Sequence, residues 1–138
     1  MSFVLDNSVA LAWCFEDEQT PEIMALLDRV AQDGAVAPQL WPIETLNGLL
    51  TAERRGRIDG AVRRRLAGFL CDLPIGIDDE TASRLWSATA QLAETHRLTA
   101  YDAAYLELAR RLGLPLATSD KSLVTAARSA GVTLILSA

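Results

Sequence analysis

Short apolar runs alternate with longer amphipathic stretches along the whole of this chain. Phe3, Val4 and Leu5 form the first run and stop at the polar turn Asp6-Asn7-Ser8, the pattern of a buried strand. A short helix over 10–15 follows. Thr20 and Pro21 predict the start of the next helix, since Thr is a good N-cap and Pro suits the first helical position, and Gly34 predicts its end. Ala35, Val36 and Ala37, closed by Pro38, read as a second strand. The spacing then predicts a helix over 40–55, with Ile43, Leu46 and Leu50 on its apolar side, and another from the cap Asp59 to about Asp72. A weak strand over 74–77 precedes a long helix opened by Asp78 and ending near His96. Thr99 begins a helix that reaches Leu112, with Gly113 as its stop signal. A strand over 114–118, a short helix opened by Asp120 and ending at Ala130, and a strand over 132–136 complete the pattern. Five apolar strands separated by helices predict an α/β fold: a parallel five-stranded sheet flanked by helices on both faces.

Composition narrows the class. The 138 residues contain no repeat, low-complexity segment or linker-like run, so one domain over 1–138 is expected. Half of the residues are hydrophobic, too many for a disordered chain. The longest stretch without a charge is ten residues, short of the ~20 that a membrane helix needs. The opening MSFVLD has no export-signal pattern, so a cytoplasmic location away from membranes is expected. Cys14, Cys71 and the lone His96 are too few for a disulfide scaffold, an ordinary structural zinc site or a two-histidine ribonuclease. Neither a Walker A loop nor a G-x-G-x-x-G turn is present. The cysteines read as small core residues, as do Trp13, Trp41 and Trp86, with an interface role the lesser option for the tryptophans. His96 reads as a favourable contact with a helix C-terminus.

The chemistry lies in the carboxylates. In open α/β sheets, functional groups collect beyond the carboxyl ends of the strands. Asp6 ends the first strand, Asp120 follows the fourth, and Asp102 lies in the first turn of the helix capped by Thr99. Glu44 lies one turn into the helix after the second strand, on the edge of its apolar side, with Asn47 beside it. Each has an ordinary reading: an Asx turn for Asp6, a capping box for Asp102, an N-cap for Asp120, a paired surface glutamate for Glu44. Together, at one edge of one sheet, they would repel one another and raise each other's pKa. A hard cation, Mg²⁺ or Mn²⁺, removes that conflict. Ser8, Asn47, Thr118 and Ser119 could orient water and ligands around it. Such a site can activate water against a phosphodiester.

At these residues the sequence resembles a PIN-domain ribonuclease, and within that family a VapC-type toxin of bacterial toxin-antitoxin pairs. The resemblance is carried by LDNSVALAWCFEDE, by APQLWPIETLNGLL and by LTAYDAAYLELARRLGLPLATSDKSL, three blocks in order over nearly the whole chain. It implies a PIN-like fold and Mg²⁺- or Mn²⁺-dependent endoribonuclease activity on RNA. It also implies a homodimer and a small VapB-like antitoxin that silences the enzyme. Asp6, Glu44, Asp102 and Asp120 carry over as the catalytic and metal-binding acids, with Ser8 and Thr118 as polar helpers. Residues 55–95 carry little of the family's signature.

Two rivals are a PIN-like RNA-binding protein with little or no turnover and, less favoured, a phosphorylation-dependent receiver domain. The receiver needs an acidic pair after the first strand, where this chain has Asp-Asn-Ser. Arg54, Arg55, Arg57, Arg63, Arg64 and Arg65 place half of the twelve arginines in one segment. That segment is a solvated surface, an RNA-phosphate track or a contact for an acidic partner. The net charge of -5 argues at first against a nucleic-acid partner. With four acids assigned to a metal, the remainder is close to balance, so local charge is the relevant scale.

Overall fold

The computed structural model describes residues 2–136. Strand β1 (Val4–Leu5) runs into helix α1 (Asn7–Ala12), and α2 (Pro21–Asp33) leads to β2 (Ala35–Ala37). Helices α3 (Trp41–Arg54) and α4 (Gly60–Cys71) form a two-helix crossover to β3 (Ile75–Ile77). The next crossover holds α5 (Thr81–Arg84), a π-helical turn (Leu85–Thr89), α6 (Ala90–His96) and α7 (Ala100–Leu112). Then come β4 (Leu116–Ala117), α8 (Lys121–Ser129) and β5 (Leu134–Leu136). The five strands pair in parallel in the order β3-β2-β1-β4-β5. This is the expected α/β class. Among the described residues, no helix is long and apolar enough to cross a membrane.

That order creates the place where a site can form. From β1 the chain builds outward through β2 to β3, then returns to lay β4 on the other side of β1. Crossovers leave in opposite directions from β1 and β4, which opens a crevice beyond their carboxyl ends. Phe3, Val4 and Leu5 are fully buried, so both faces of the central strand are covered. A strand of two residues suffices because the ladder continues past it: the Asp6 amide donates to the Ala117 carbonyl at 3.0 Å.

Side-chain caps fix four of the eight helix starts among the described residues. Thr20, Asp59, Thr99 and Asp120 each accept the backbone amide three residues on, a device whose loss costs about 1 kcal/mol. Helix α1 departs from expectation by starting at Asn7 rather than Ala10. The amides of Val9 and Ala10 donate to the Asp6 backbone carbonyl, with no side-chain cap to mark the start. The helix expected to open at Asp78 begins at Thr81, because the Asp78 carboxylate is held by Arg111 and by the Thr81 hydroxyl. Helix α3 is rotated from its expected setting. It buries Trp41, Thr45, Leu49 and Ala52, while Ile43 and Leu46 are 74% and 45% exposed. Gly48 brings its other flank against α1, where a Cβ would lie 2.5 Å from a Leu11 methyl. Trp13 and Trp41 are core residues, but Trp86 is exposed on the π-helical turn, and Cys71 is exposed rather than buried.

Candidate metal and nucleic-acid site

Asp6 stands at the floor of the crevice, 2% exposed. Its Oδ2 accepts hydrogen bonds from Ser8 Oγ and Thr118 Oγ1, each at 2.7 Å. Thr118 is fully buried at the end of β4, so the second bond ties the two central strands together across the crevice. Ser8 and Thr118 also accept the amides of Ser119 and Asp120, which sets the loop leading into α8. Burial pushes the Asp6 carboxyl above its ordinary pKa. The Ser8 and Thr118 hydroxyls oppose this, and the charge of Asp120 adds to it.

The other three acids arrive from helix starts. Glu44 lies in the first turn of α3, half-buried, and its Oε1 accepts the Tyr105 hydroxyl at 2.7 Å. Burial raises its pKa, and the charges of Asp6 and Asp102 push the same way. Asp102 lies in the first turn of α7. Its amide donates to the Thr99 hydroxyl, but no return bond from its carboxylate to Thr99 completes a capping box among the described residues. Burial, with repulsion from Asp120 and Asp6, raises the Asp102 pKa to about 6. Asp120 uses Oδ1 to cap α8 through the Leu123 amide, so its ordinary role holds alongside its place in the crevice.

The four acids thus come within electrostatic reach of one another, and three have pKa values raised by burial and mutual repulsion. No three of them bring ligand oxygens within 4.8 Å of one another. The group that does so, among the described residues, is Asp78, Asp79 and Glu80 beyond β3. A carboxylate set of this hardness suits Mg²⁺ or Mn²⁺, and the raised pKa values mean that a nearby cation would favour the charged forms. In donor chemistry and charge the four residues therefore fit such an ion. The Asp78 group fits it poorly, since Arg111 already donates to Asp78 and Glu80.

Of the expected helpers, Ser8 and Thr118 contact Asp6 directly, and Ser119 joins through its amide. Asn47 is exposed one turn beyond Glu44, away from the hydrogen bonds that hold Asp6 and Glu44. The arginine segment begins at the opposite end of α3 from Glu44. Arg54, at the last turn of α3, is about 15 Å along the helix axis from Glu44 at 1.5 Å per residue. Arg57 pairs with Asp17 and Glu18 and stacks on Phe15, and Arg63 pairs with Glu53. Tyr105 is a site residue that the sequence pattern did not single out. It is fully buried, its hydroxyl pKa is pushed up by burial, and it sits three residues after Asp102. A buried tyrosine hydroxyl needs a partner, and that was the available signal. A cavity of about 620 Å³ between α6 and α7 is lined by none of the four acids.

The parallel sheet in the order β3-β2-β1-β4-β5, with carboxylates near its topological switch point, defines the class as an open α/β protein. The chain belongs to the PIN domain family, whose sequence model matches residues 3–129. No curated protein matches it by sequence. Among solved structures, PAE2754 from Pyrobaculum aerophilum is similar at TM-score 0.67 and 24% identity, covering 91% of this chain and 84% of that one. FitAcB from Neisseria gonorrhoeae is similar at TM-score 0.67 and 20% identity, over 97% and 96% of the two chains. FitAB bound to an IR36 DNA fragment is similar at TM-score 0.65 and 19% identity, over 97% and 93%.

Proposed function

We propose that this protein is a Mg²⁺- or Mn²⁺-dependent endoribonuclease, a VapC-type toxin that acts as a homodimer and is silenced by a small VapB-like antitoxin. The observation that carries the reading is the convergence of Asp6, Glu44, Asp102 and Asp120 across the β1/β4 crevice, with three of them raised in pKa. PIN domains are generally nucleases, and FitAB, one of the similar structures, was solved bound to DNA. The family supports the nuclease reading, and the toxin role and its partner are proposed from the resemblance to VapC-type toxins. The receiver alternative fails on topology: such domains place their strands in the order 2-1-3-4-5, and this sheet runs 3-2-1-4-5.

Asp6, Glu44, Asp102 and Asp120 would hold the cation. When bound, it supplies an activated water and offsets charge growing on the phosphoryl oxygens. The chain's own part is to fix the ligands. Ser8 and Thr118 lock the Asp6 carboxylate, and Tyr105 fixes the direction of Glu44. No side-chain hydrogen bond among the described residues restrains the Asp102 carboxylate in the same way. Its pKa near 6 leaves it largely ionised at neutral pH and able to take up a proton in mild acid.

The test is RNA cleavage in Mn²⁺ by wild type, Asp102→Asn and Asp78→Asn. Asp102→Asn should lose at least ~100-fold in rate with its fold intact, more than the loss typical of residues that only orient a metal ligand. Asp78→Asn should keep its rate. RNA bound by wild type in Mn²⁺ but never cut would replace the enzyme with the binding-protein reading. Co-purification with a small partner tests the antitoxin, and light scattering tests the homodimer.

A further inference from the structure

Arg54 stands about 15 Å along α3 from Glu44, and Arg57 and Arg63 are held in internal ion pairs, so the arginine segment leaves open what grips RNA at the site itself. Tyr101 is 62% exposed on the first turn of α7, one residue before Asp102. It lies one helical turn above Tyr105 on the same side of α7, and Tyr105 is the residue that reaches Glu44. Beyond that bond, Ile43 is 74% exposed on the first turn of α3, one residue before Glu44. Two of the four acids are therefore each preceded by a large apolar side chain held out in water. Exposing such groups has a cost in solubility and gains the fold nothing, since neither belongs to its core. A wall of carboxylates also repels a phosphate backbone, so binding energy near it has to come from something other than charge. Nucleobases carry an uncharged π-face, and aromatic side chains hold single-stranded RNA in this way.

We infer that Tyr101 is a stacking platform for an unpaired nucleobase next to the bond being cut. This rests on the nuclease reading. The platform selects single-stranded or loop RNA over duplex, because a paired base does not offer its face. Tyr101 is a binding residue and does not touch the reacting atoms.

The experiment measures fluorescence anisotropy of a labelled 12-nucleotide mixed-sequence single-stranded RNA, with Mg²⁺, in the Asp102→Asn background so that the probe survives. Adding Tyr101→Ala should weaken binding about 5- to 100-fold, the range of losing one base-aromatic stack. Tyr101→Phe and Tyr101→Trp should stay within about twofold of the background. A matched probe made wholly of abasic nucleotides should bind equally with and without Tyr101→Ala. Equal RNA binding with and without Tyr101→Ala overturns the inference and leaves the nuclease reading standing, as does a loss equally large on the abasic probe. Unchanged RNA binding together with loss of a co-purifying protein also overturns it and makes Tyr101 a protein contact. No RNA binding by any variant, with no cleavage by wild type in Mn²⁺, overturns both.

Discussion

Two acidic groups in this molecule meet the same electrostatic difficulty in opposite ways. Beyond β3, Asp78 and Glu80 share the Arg111 guanidinium with Glu107, which is 5% exposed. Burial alone would raise the Asp78 pKa, but hydrogen bonds and charge from Arg111 outweigh it and hold the carboxyl below its ordinary value. At the β1/β4 crevice no basic side chain among the described residues plays that part. Asp6 and Glu44 receive hydroxyl donors and Asp102 receives no such donor, and all three pKa values rise. The first group is complete within the chain and serves the fold. The second is left short of positive charge, and that shortage is what makes it suited to an external cation.

The largest effect should come from breaking the complete group. Arg111→Ala strands Glu107 and Asp78 without their cation, and removing one partner of such a pair costs about 3–5 kcal/mol. Urea denaturation should show the loss, with RNA cleavage unaltered where the variant remains folded. A cost below ~1 kcal/mol would mean that the network is as dispensable as a surface ion pair.

The second prediction concerns the incomplete group. Mn²⁺ at about a hundred times its dissociation constant should stabilise wild type by about 2.7 kcal/mol and raise its melting temperature. The shift should shrink in Asp102→Asn and persist in Asp78→Asn. The reverse pattern would move the metal to the Asp78 group.

The smallest effect is in pH. Folded Asp102 titrates at about 6 and its unfolded form near 3.8, so between those values the folded state holds a proton that the unfolded state releases. Metal-free protein should be most stable below about pH 4 on this account and lose stability up to about pH 6. The change should be smaller than the ~2.7 kcal/mol of a full two-unit shift, because solvent screens Asp102 in part. Asp78 acts oppositely: its contribution is present above its ordinary pKa and is lost as the pH falls below it. Asp102→Asn should flatten the loss between about pH 4 and 6. A slope unchanged by that substitution would assign it to other groups.

Local signals in the sequence were sufficient for much of this. Thr20, Asp59, Thr99 and Asp120 cap helices where their side chains predict, and Gly34 and Gly113 end helices at positive φ. The positions of the four acids were legible because strand ends and helix starts are readable: Asp6 follows β1, Glu44 and Asp102 lie in first turns, and Asp120 is a cap. What escaped depends on pairings across the chain. Tyr105 meets Glu44 over 61 residues and Arg111 meets Asp78 over 33, and neither spacing has a local signature. The facing of α3 escaped for a related reason. Its apolar residues lie on more than one side, and only packing against α1 and α4 decides that Leu49 goes in while Leu46 stays out. The π-helical turn and the exposure of Trp86 likewise leave no trace in hydrophobic period.

The bond from Thr118 to Asp6 closes a loop of 112 residues. Its consequence is one of timing. Asp6 is made early, yet its carboxylate has neither β4 beside it nor its threonine until Thr118 has been synthesised and has left the ribosome. A chain interrupted anywhere before that point carries Asp6, Glu44 and even Asp102 without the crevice that assembles them. The crevice is therefore a late product of the chain, closed only when β4 inserts beside β1.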